Sequence, residues 1–264
     1  MLRYARNDGI HRKNSPRAQL SIIGIGPGDI SHLSQKALDA LRGCQLVIGY
    51  KTYIQLLADV IDKKKVVTSG MTEEVARVNQ AIEEAAAGKK VCLISSGDPG
   101  IYGMAGLALE LNEKRKEKVR VEIIPGITAA SSCAATLGAP LMHDFAVISL
   151  SDLLTDKKLI SKRVMLAAKG DFVIVFYNPQ SKKRTEPLKN AWHILMKHRS
   201  PGTPVGIVSN ACRDNEEVVI TELKNLLSCK RIDMRTTIIV GNSGTYVKGN
   251  YMITPRGYVI DGNN

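Results

Sequence analysis

The alternation of short β-branched runs with longer helical patterns is the feature that most constrains the fold of this chain. It begins at Gln19 and is typical of parallel strands joined by crossover helices. Apolar residues recur at helical spacing in SQKALDALRG, TEEVARVNQAIEEAAAG and AGLALELNEKRKE. The first half is therefore predicted to be an α/β domain with a parallel-type sheet, whose strands are expected at 20–25, 45–50, 65–68, 90–95 and 120–124.

The second half repeats this rhythm with one difference. After Pro125 an Ala- and Ser-rich segment, GITAASSCAATLGAP, predicts a closely packed helix that joins two domains. Further strands are predicted at 145–150, 171–177, 203–209, 216–223 and 236–241. Too little sequence separates the strands at 203–209 and 216–223 for a helix, so they should be antiparallel and the second sheet mixed. The predicted organisation is a flexible tail (1–18), an N-terminal α/β domain (19–124), a linker helix (125–140) and a C-terminal α/β domain (141–264).

Composition excludes several classes of protein. The chain is 44% hydrophobic and 23% charged, too apolar for a disordered protein, and it contains no apolar run of the roughly 18 residues that a membrane span requires. We therefore expect a soluble cytoplasmic protein without a membrane partner. The five cysteines and five histidines are scattered, with no C-x-x-C pair, so neither a disulfide framework nor a protein-bound metal is predicted.

The net charge of +12 favours an anionic partner, because a positive field raises the encounter rate of anions. Nucleic acid and small polycarboxylates both qualify. Only 5% of the residues are aromatic, and the lysines and arginines come in short groups without interleaved aromatic residues. Aromatic stacking platforms are common in proteins that bind single strands, so we expect no nucleic-acid partner.

A glycine-rich turn follows the first predicted strand, with the sequence Gly24-Ile25-Gly26-Pro27-Gly28-Asp29. A dinucleotide-binding G-x-G-x-x-G turn would need glycine where Asp29 stands, and Pro27 removes a backbone donor that a phosphate could use. A Rossmann phosphate loop is therefore rejected. A rigid turn at the carboxyl end of a strand remains, where α/β sheets bind their ligands.

Three further turns follow strands in the same way. In Ser95-Ser96-Gly97-Asp98-Pro99-Gly100-Ile101-Tyr102-Gly103, Asp98 offers a carboxylate either to a ligand or as a helix cap. In Ile124-Pro125-Gly126-Ile127-Thr128-Ala129-Ala130, the Thr128 hydroxyl lies near a helix N-terminus. The fourth turn is Phe176-Tyr177-Asn178-Pro179. Turns that follow strands in this way could converge on one face.

In this order and spacing the turns resemble the tetrapyrrole methylase family, over about Leu20 to Gly241. Members share a GxGPGD turn, a GDPxxYG-like loop and a PGIT-type segment. The stretch HDFAVISLSDLLTDKKLISKRVMLAAKGDFVIVFYNPQSKKR is most similar to the branch that methylates carbon-17 of a precorrin-3B or cobalt-precorrin-3 type tetrapyrrole, with ring contraction, in cobalamin biosynthesis.

The resemblance implies two α/β domains with the active-site cleft between them, and S-adenosylmethionine as methyl donor, leaving S-adenosylhomocysteine as product. It also implies a homodimer and a tetrapyrrole substrate rich in acetate and propionate groups. When the family's cofactor-binding positions are carried over to this sequence one by one, the resemblance implies the following cofactor contacts: Pro27, Gly97, Asp98, Ile101, Thr128, Ala129, Asn178, Ala211 and Thr237.

Methyl transfer from a sulfonium is an in-line displacement, so alignment and exclusion of water are the main requirements. Ring contraction also needs proton transfer. The candidate acids and bases are Asp98, Tyr102, His143 and Asp144, each of which also has a purely structural interpretation. The candidate carboxylate binders are Arg163, Lys169, Lys182, Lys183 and Arg184, for which a solvated face is the alternative.

Two other functions stay open at this point. The same fold resemblance extends to methylases of ribosomal RNA and of the diphthamide precursor, although the SDLLTD and FYNPQSKKR segments favour the tetrapyrrole branch. The chain could also be a basic RNA- or tetrapyrrole-binding module without turnover. The intact set of cofactor turns argues against that second alternative.

Overall fold

A computed structural model describes residues 19–70 and 72–259, so the predicted tail at 1–18 lies outside the described residues. The described chain divides by its internal contacts into two compact units. The first unit contains the residues up to Ile23, Gln35–Ser95 and Met104–Ile124. The second contains Gly24–Ser34, Ser96–Gly103 and the residues from Pro125 onward. The three glycine-bearing turns thus group with the C-terminal residues.

The first unit is built on a five-stranded sheet with the order β3-β2-β4-β1-β5. The pairs β1–β5, β2–β3 and β2–β4 are parallel, as predicted. The strands are β1 (Gln19–Gly24), β2 (Leu46–Tyr50), β3 (Lys65–Ser69), β4 (Val91–Ser95) and β5 (Arg120–Ile124). The helices are α1 (Gln35–Gly43), α2 (Lys51–Gln55), α3 (Ala58–Ile61), α4 (Glu74–Ala86) and α5 (Ala105–Glu113). The sequence pattern did not predict α2 and α3, which are only one turn or slightly longer.

Helix α5 ends earlier than predicted. Its pattern suggested a helix to Glu117, but α5 ends at Glu113. The buried Asn112 explains the difference, because its amide donates to the carbonyl oxygen of Val119 (3.0 Å) and accepts from the Val119 N–H (3.1 Å). A side chain that pairs with the backbone in this way turns the chain toward β5.

The second unit has a five-stranded sheet with the order β10-β9-β11-β8-β7. Strands β7 and β8 are parallel, and the other neighbours are antiparallel, which confirms the mixed sheet and the antiparallel β9–β10 pair. Its strands are β7 (Phe145–Ser149), β8 (Val173–Tyr177), β9 (Pro204–Ser209), β10 (Glu217–Glu222) and β11 (Thr236–Val240). Its helices are α6 (Ala129–Leu137), α7 (Lys157–Lys169) and α8 (Glu186–Met196). A 3₁₀ helix spans Leu223–Ser228.

Helices cover both faces of this second sheet, as the apolar side chains of strand β8 require. Ile174 and Phe176 pack with α7 and α8 in one core. Val173 and Val175 pack with α6 in another. Alternate residues of a strand point to opposite faces, so a run such as VIVFY requires a layer of structure on each side. A small sheet adjoins α6, formed by β6 (Gly138–Ala139), β12 (Tyr246–Lys248) and β13 (Tyr251–Ile253).

Within the described residues, no helix has the length and apolar character that a membrane crossing demands. The same residues contain no cluster of three or more His, Cys, Asp or Glu side chains arranged to hold a metal ion.

Candidate functional site

The first two predicted turns are joined by a pair of backbone hydrogen bonds. They follow β1 and β4, which are neighbours in the first sheet. The N–H of Gly97 donates to the carbonyl oxygen of Gly26 (2.8 Å), and the N–H of Gly26 donates to the carbonyl oxygen of Gly97 (3.2 Å). This isolated bridge fixes the two turns side by side.

The third turn packs against the first two by close backbone approach. A Cβ atom on Gly126 would lie 2.2 Å from the carbonyl oxygen of Gly97 and 2.7 Å from the carbonyl carbon of Gly24. Real Cβ atoms do not approach backbone so closely, so glycine is the residue that fits here. The turns that the sequence singled out therefore form one cluster.

Asp98 ties the second turn to the third. One carboxylate oxygen, Oδ1, accepts from the N–H of Gly100 at 2.7 Å, and Oδ2 accepts from the N–H of Gly126 at 3.1 Å. The side chain is half-buried. Each carboxylate oxygen has a second lone pair, so this scaffolding role leaves acceptor capacity for a ligand.

The first turn is also held by Arg213, a residue that the sequence analysis did not select. Its Nε donates to the carbonyl oxygen of the buried Pro27 at 2.9 Å. Gly28 makes room for this contact, because a Cβ there would lie 2.7 Å from Nε. Arg213 belongs to the loop that also carries Ala211, so the contact brings two predicted cofactor positions, Pro27 and Ala211, into one region.

The loop that carries Arg213 contains strained backbone. Asn210 and Cys212 have φ values of 53° and 57°, in the left-handed region that residues other than glycine rarely adopt. The N–H of Arg213 donates to the Asn210 carbonyl oxygen (3.0 Å), and the N–H of Cys212 donates to the Glu216 carboxylate (2.6 Å). Strain of this kind clusters at ligand sites.

Tyr177 caps the N-terminus of α6. Its hydroxyl accepts from the N–H of Ala130 (2.6 Å) and is hydrogen-bonded to Oγ1 of Thr128. Thr128 stands at the N-cap position but does not cap the helix with its own side chain. Burial raises the pKa of the Tyr177 phenol, and the hydrogen bonds with Thr128 and Ala130 oppose that shift. The expected Thr128 hydroxyl is thus at the helix start, but its partner is Tyr177.

Tyr102 and Asn178 meet at the end of strand β7. The Tyr102 hydroxyl donates to the Val147 carbonyl oxygen (3.2 Å) and accepts from the Ser149 N–H (3.1 Å). The Asn178 amide donates to Oγ of Ser149 (3.1 Å). Both Tyr102 and Asn178 have left-handed backbone, with φ of 53° and 52°. Tyr102 is 58% exposed, and its ring lies 5.7 Å from the Tyr177 ring, centroid to centroid.

The remaining predicted cofactor positions lie near this cluster. Ile101 directly precedes Tyr102 and is 39% exposed. Ala211 is half-buried against the core beneath α6. Thr237 is buried in β11, where it is hydrogen-bonded to Cys133 of α6, and burial raises the pKa of that thiol to about 11.

His143 and Asp144 are not brought together with these residues. They precede β7 at its amino end, whereas Tyr102 and Asn178 contact its carboxyl end at Ser149. The strand between is about 13 Å long, at about 3.3 Å per residue. Both side chains instead line an open cavity of about 370 Å³.

The predicted carboxylate binders differ in their surroundings. Arg184 is only 13% exposed, and its guanidinium donates to the carbonyl oxygens of Leu150 (2.7 Å) and Asn178 (3.0 Å). Its donors therefore serve the protein's own backbone. The other candidates are exposed on α7 and on the loop after β8, namely Arg163, Lys169, Lys182 and Lys183.

Two curated bacterial proteins are half identical to this chain. A probable cobalt-factor III C(17)-methyltransferase of Salmonella typhimurium is 50% identical over 241 residues, which cover 91% of this chain and 100% of that protein. A cobalt-factor III methyltransferase of Priestia megaterium is 50% identical over 246 residues, 92% of this chain, and the chain spans only 45% of that protein's length.

Two solved structures match the fold of this chain. The methyltransferase CobJ matches with a TM-score of 0.83 and 33% identity, over 90% of this chain and 100% of that structure. A uroporphyrin-III C-methyl transferase from Thermus thermophilus, complexed with S-adenyl homocysteine, matches with a TM-score of 0.66 and 23% identity, over 85% of this chain and 97% of that structure. At that identity the second match shows the fold alone.

The family model of the Tetrapyrrole (Corrin/Porphyrin) Methylases matches residues 19–227. That range contains the joined turns, the α6 cap and the Arg213 contact described above. A match over most of the chain, with curated relatives of half-identical sequence, agrees with the resemblance that the turns gave in the sequence. The chain belongs to the tetrapyrrole (corrin/porphyrin) methylase family.

Proposed function

We propose that this protein uses S-adenosylmethionine to methylate carbon-17 of a cobalt-factor III or precorrin-3B type tetrapyrrole, with ring contraction, in cobalamin biosynthesis. The observation that carries the proposal is the 50% identity to the Salmonella typhimurium protein over that protein's full length. The geometry of the turns supports it, because every segment that the family resemblance assigns to the cofactor is intact and held in place.

The residues present suit a folded nucleoside with an amino-acid tail. Gly97, Thr128 and Ala129 are partly exposed, and a Cβ on Gly97 would lie no closer than 3.7 Å to Thr128. The turns therefore leave small side chains and backbone groups at the surface where a ligand can approach closely. We propose that residues of all four turns and of two nearby segments contact the cofactor. These residues are Pro27, Gly97, Asp98, Ile101, Thr128, Ala129, Asn178, Ala211 and Thr237.

Bound S-adenosylmethionine supplies an electrophilic methyl group on sulfur. The protein's contribution is to orient the ring carbon in line with that methyl group and to keep water out. The Tyr102 and Tyr177 rings offer an apolar wall beside Asn178 for this purpose. Of the proposed acid–base residues, Asp98 and Tyr102 lie in the turn cluster. His143 lies at the amino end of β7, so we assign it no proton transfer in the reaction.

The test is a direct assay. Purified protein is incubated with S-adenosylmethionine and cobalt-factor III, and mass spectrometry follows the substrate for the gain of one methyl group. Calorimetry with S-adenosylhomocysteine, NAD and ATP measures ligand preference, and we expect stoichiometric binding of S-adenosylhomocysteine alone. Binding of NAD or ATP in its place would contradict the cofactor assignment. Cofactor binding with methylation of a ribosomal RNA and not of the tetrapyrrole would contradict the substrate assignment.

The homodimer, the cytoplasmic location and the absence of a nucleic-acid partner stay predictions. The charge of +12 supports a polycarboxylate substrate, since acetate and propionate groups complement it. Light scattering of the purified protein measures the oligomeric state, and a mass of one chain would contradict the dimer.

A further inference from the structure

Two loops at the carboxyl ends of β7 and β8 form a surface that the cofactor assignment does not use. The first loop, 150–156, carries Leu153 and Leu154. The second, 178–185, carries Lys182 and Lys183. We call these four residues the ledge. The loop bases begin at Ser149 and Asn178, which contact each other through the Asn178 amide, so the loops that carry the ledge start beside the proposed cofactor site.

Arg184 locks the bases of both loops together. Its guanidinium donates to the carbonyl oxygens of Leu150 and Asn178, and its Nε lies 3.7 Å from the carboxylate of Asp152. Leu150 is fully buried, and its N–H donates to the Tyr177 carbonyl oxygen at 2.8 Å. The bases of both loops are therefore held beside Asn178.

The tip of the first loop is unusually apolar for a protein surface. Leu153 is 75% exposed and Leu154 is 100% exposed. Single exposed leucines are common, but two consecutive ones on a braced loop beside a ligand site present a continuous apolar patch. The second loop, which Arg184 joins to the base of the first, carries the exposed Lys182 and Lys183 within the turn that Arg184 closes with Ser181.

This combination of chemistry matches one class of ligand. A tetrapyrrole has an apolar macrocycle with carboxylates on its rim, so it needs an apolar support flanked by cations. We propose that the ledge binds the tetrapyrrole substrate, with Leu153 and Leu154 against the macrocycle and Lys182 and Lys183 near its carboxylates. The inference rests on the proposed function, and it names substrate-specificity residues that the cofactor turns do not contain.

The apolar half is tested with Leu153→Ser/Leu154→Ser in the full chain. Removing two leucine contacts should raise KM for cobalt-factor III at least about tenfold, since one buried leucine side chain is worth about that factor or more. The Kd for S-adenosylhomocysteine and the Tm should stay at the wild-type values, because both side chains are exposed in the free protein. Leu166→Ser is the matched control, on α7 and 53% exposed, and should leave KM unchanged.

The charged half is tested with Lys182→Gln/Lys183→Gln. We expect KM for cobalt-factor III to rise about threefold to tenfold and its dependence on salt to weaken, as screening acts on exposed charges. Lys162→Gln/Lys230→Gln removes the same charge elsewhere on the exposed surface and should leave both unchanged.

Wild-type KM in both ledge variants would overturn the inference and leave the proposed function intact. A loss of S-adenosylhomocysteine affinity in parallel with KM would also overturn it, because the leucines would then act through the cofactor site. A change of oligomeric state in light scattering, with KM unchanged, would assign the ledge to a second copy of the chain instead. Absence of any wild-type methylation would contradict the proposed function, and direct titration of cobalt-factor III into the ledge variants would still measure docking.

Discussion

The hydroxyl of Tyr177 accepts a hydrogen bond from the N–H of Ala130 at 2.6 Å, so a strand residue supplies the cap of helix α6. The first N–H groups of a helix have no partner within the helix, and a buried one without a partner is costly. Because the Tyr177 hydroxyl is also hydrogen-bonded to Oγ1 of Thr128, one hydroxyl positions both residues at the start of the helix. The segment proposed to lie along the cofactor is therefore fixed by β8.

Tyr177→Phe removes this cap and keeps the ring. We expect the free energy of unfolding to fall by about 1–3 kcal/mol, since buried donors lose their acceptor. Thermal unfolding should show a Tm lower by roughly 2–4 °C per kcal/mol. Calorimetry with S-adenosylhomocysteine should show weaker binding. Tyr258→Phe, at a residue that is 77% exposed, is the control and should behave as the wild type.

Stability should depend on pH through the same residue. Burial raises the pKa of Tyr177 in the folded protein, so the folded state favours the neutral phenol. The contribution is fully present below the ordinary tyrosine pKa of about 10 and is lost as pH rises through the folded value. The difference in Tm between wild type and Tyr177→Phe should therefore narrow above about pH 10. A constant difference up to the alkaline limit of folding would contradict the shift.

Asp98→Asn should affect stability and cofactor binding together. The amide nitrogen replaces one of the two acceptors and so faces the N–H of Gly100 or of Gly126, donor against donor. We expect a loss of about 1–3 kcal/mol in stability, and an affinity for S-adenosylhomocysteine lower by about tenfold, worth 1.4 kcal/mol. Asp144→Asn, whose side chain is 82% exposed, should change neither. An unchanged Tm for Asp98→Asn would show that its two turns hold without the carboxylate.

Gly126→Ala should disrupt the joined turns. Its Cβ would lie 2.2 Å from the backbone oxygen of Gly97, which no side-chain rotation relieves. We expect a lower Tm and loss of S-adenosylhomocysteine binding in calorimetry. Gly106→Ala is a control of opposite sign, because a Cβ there meets nothing within 4 Å and the residue lies in α5. It should raise stability by about 0.5–1 kcal/mol, from helix propensity.

Arg213→Met removes the donor to Pro27 and keeps an apolar stem. A charged hydrogen bond contributes roughly 1.5–3 kcal/mol. If the contact orients the first turn for the cofactor, affinity for S-adenosylhomocysteine should fall by about tenfold or more with kcat at saturating cofactor near the wild-type value. Arg42→Met, at an exposed arginine on α1, should leave the affinity unchanged. Equal affinities for the two variants would contradict a positioning role for Arg213.

The sequence alone determined most of the elements, because strand and helix periodicity are local properties, but it did not predict the short helices α2 and α3 or the small sheet of β6, β12 and β13. All ten predicted strands occur, with bounds within two residues, and the four turns that follow them lie where the pattern put them. Family membership followed from the order and spacing of those turns. The end of α5 escaped this reasoning, since it depends on the Asn112 side chain pairing with Val119, seven residues away.

The tertiary structure decided which side chain serves which partner. Nothing in FYNPQ indicates that the Tyr177 hydroxyl caps a helix 47 residues earlier, or that Arg184 braces two loops while Lys182 and Lys183 stay exposed. The separation of His143 from Tyr102 follows from the direction of β7 alone. Hydrogen bonds and close backbone approaches between distant segments depend on positions in space to a fraction of an ångström, and residue order carries no such distances.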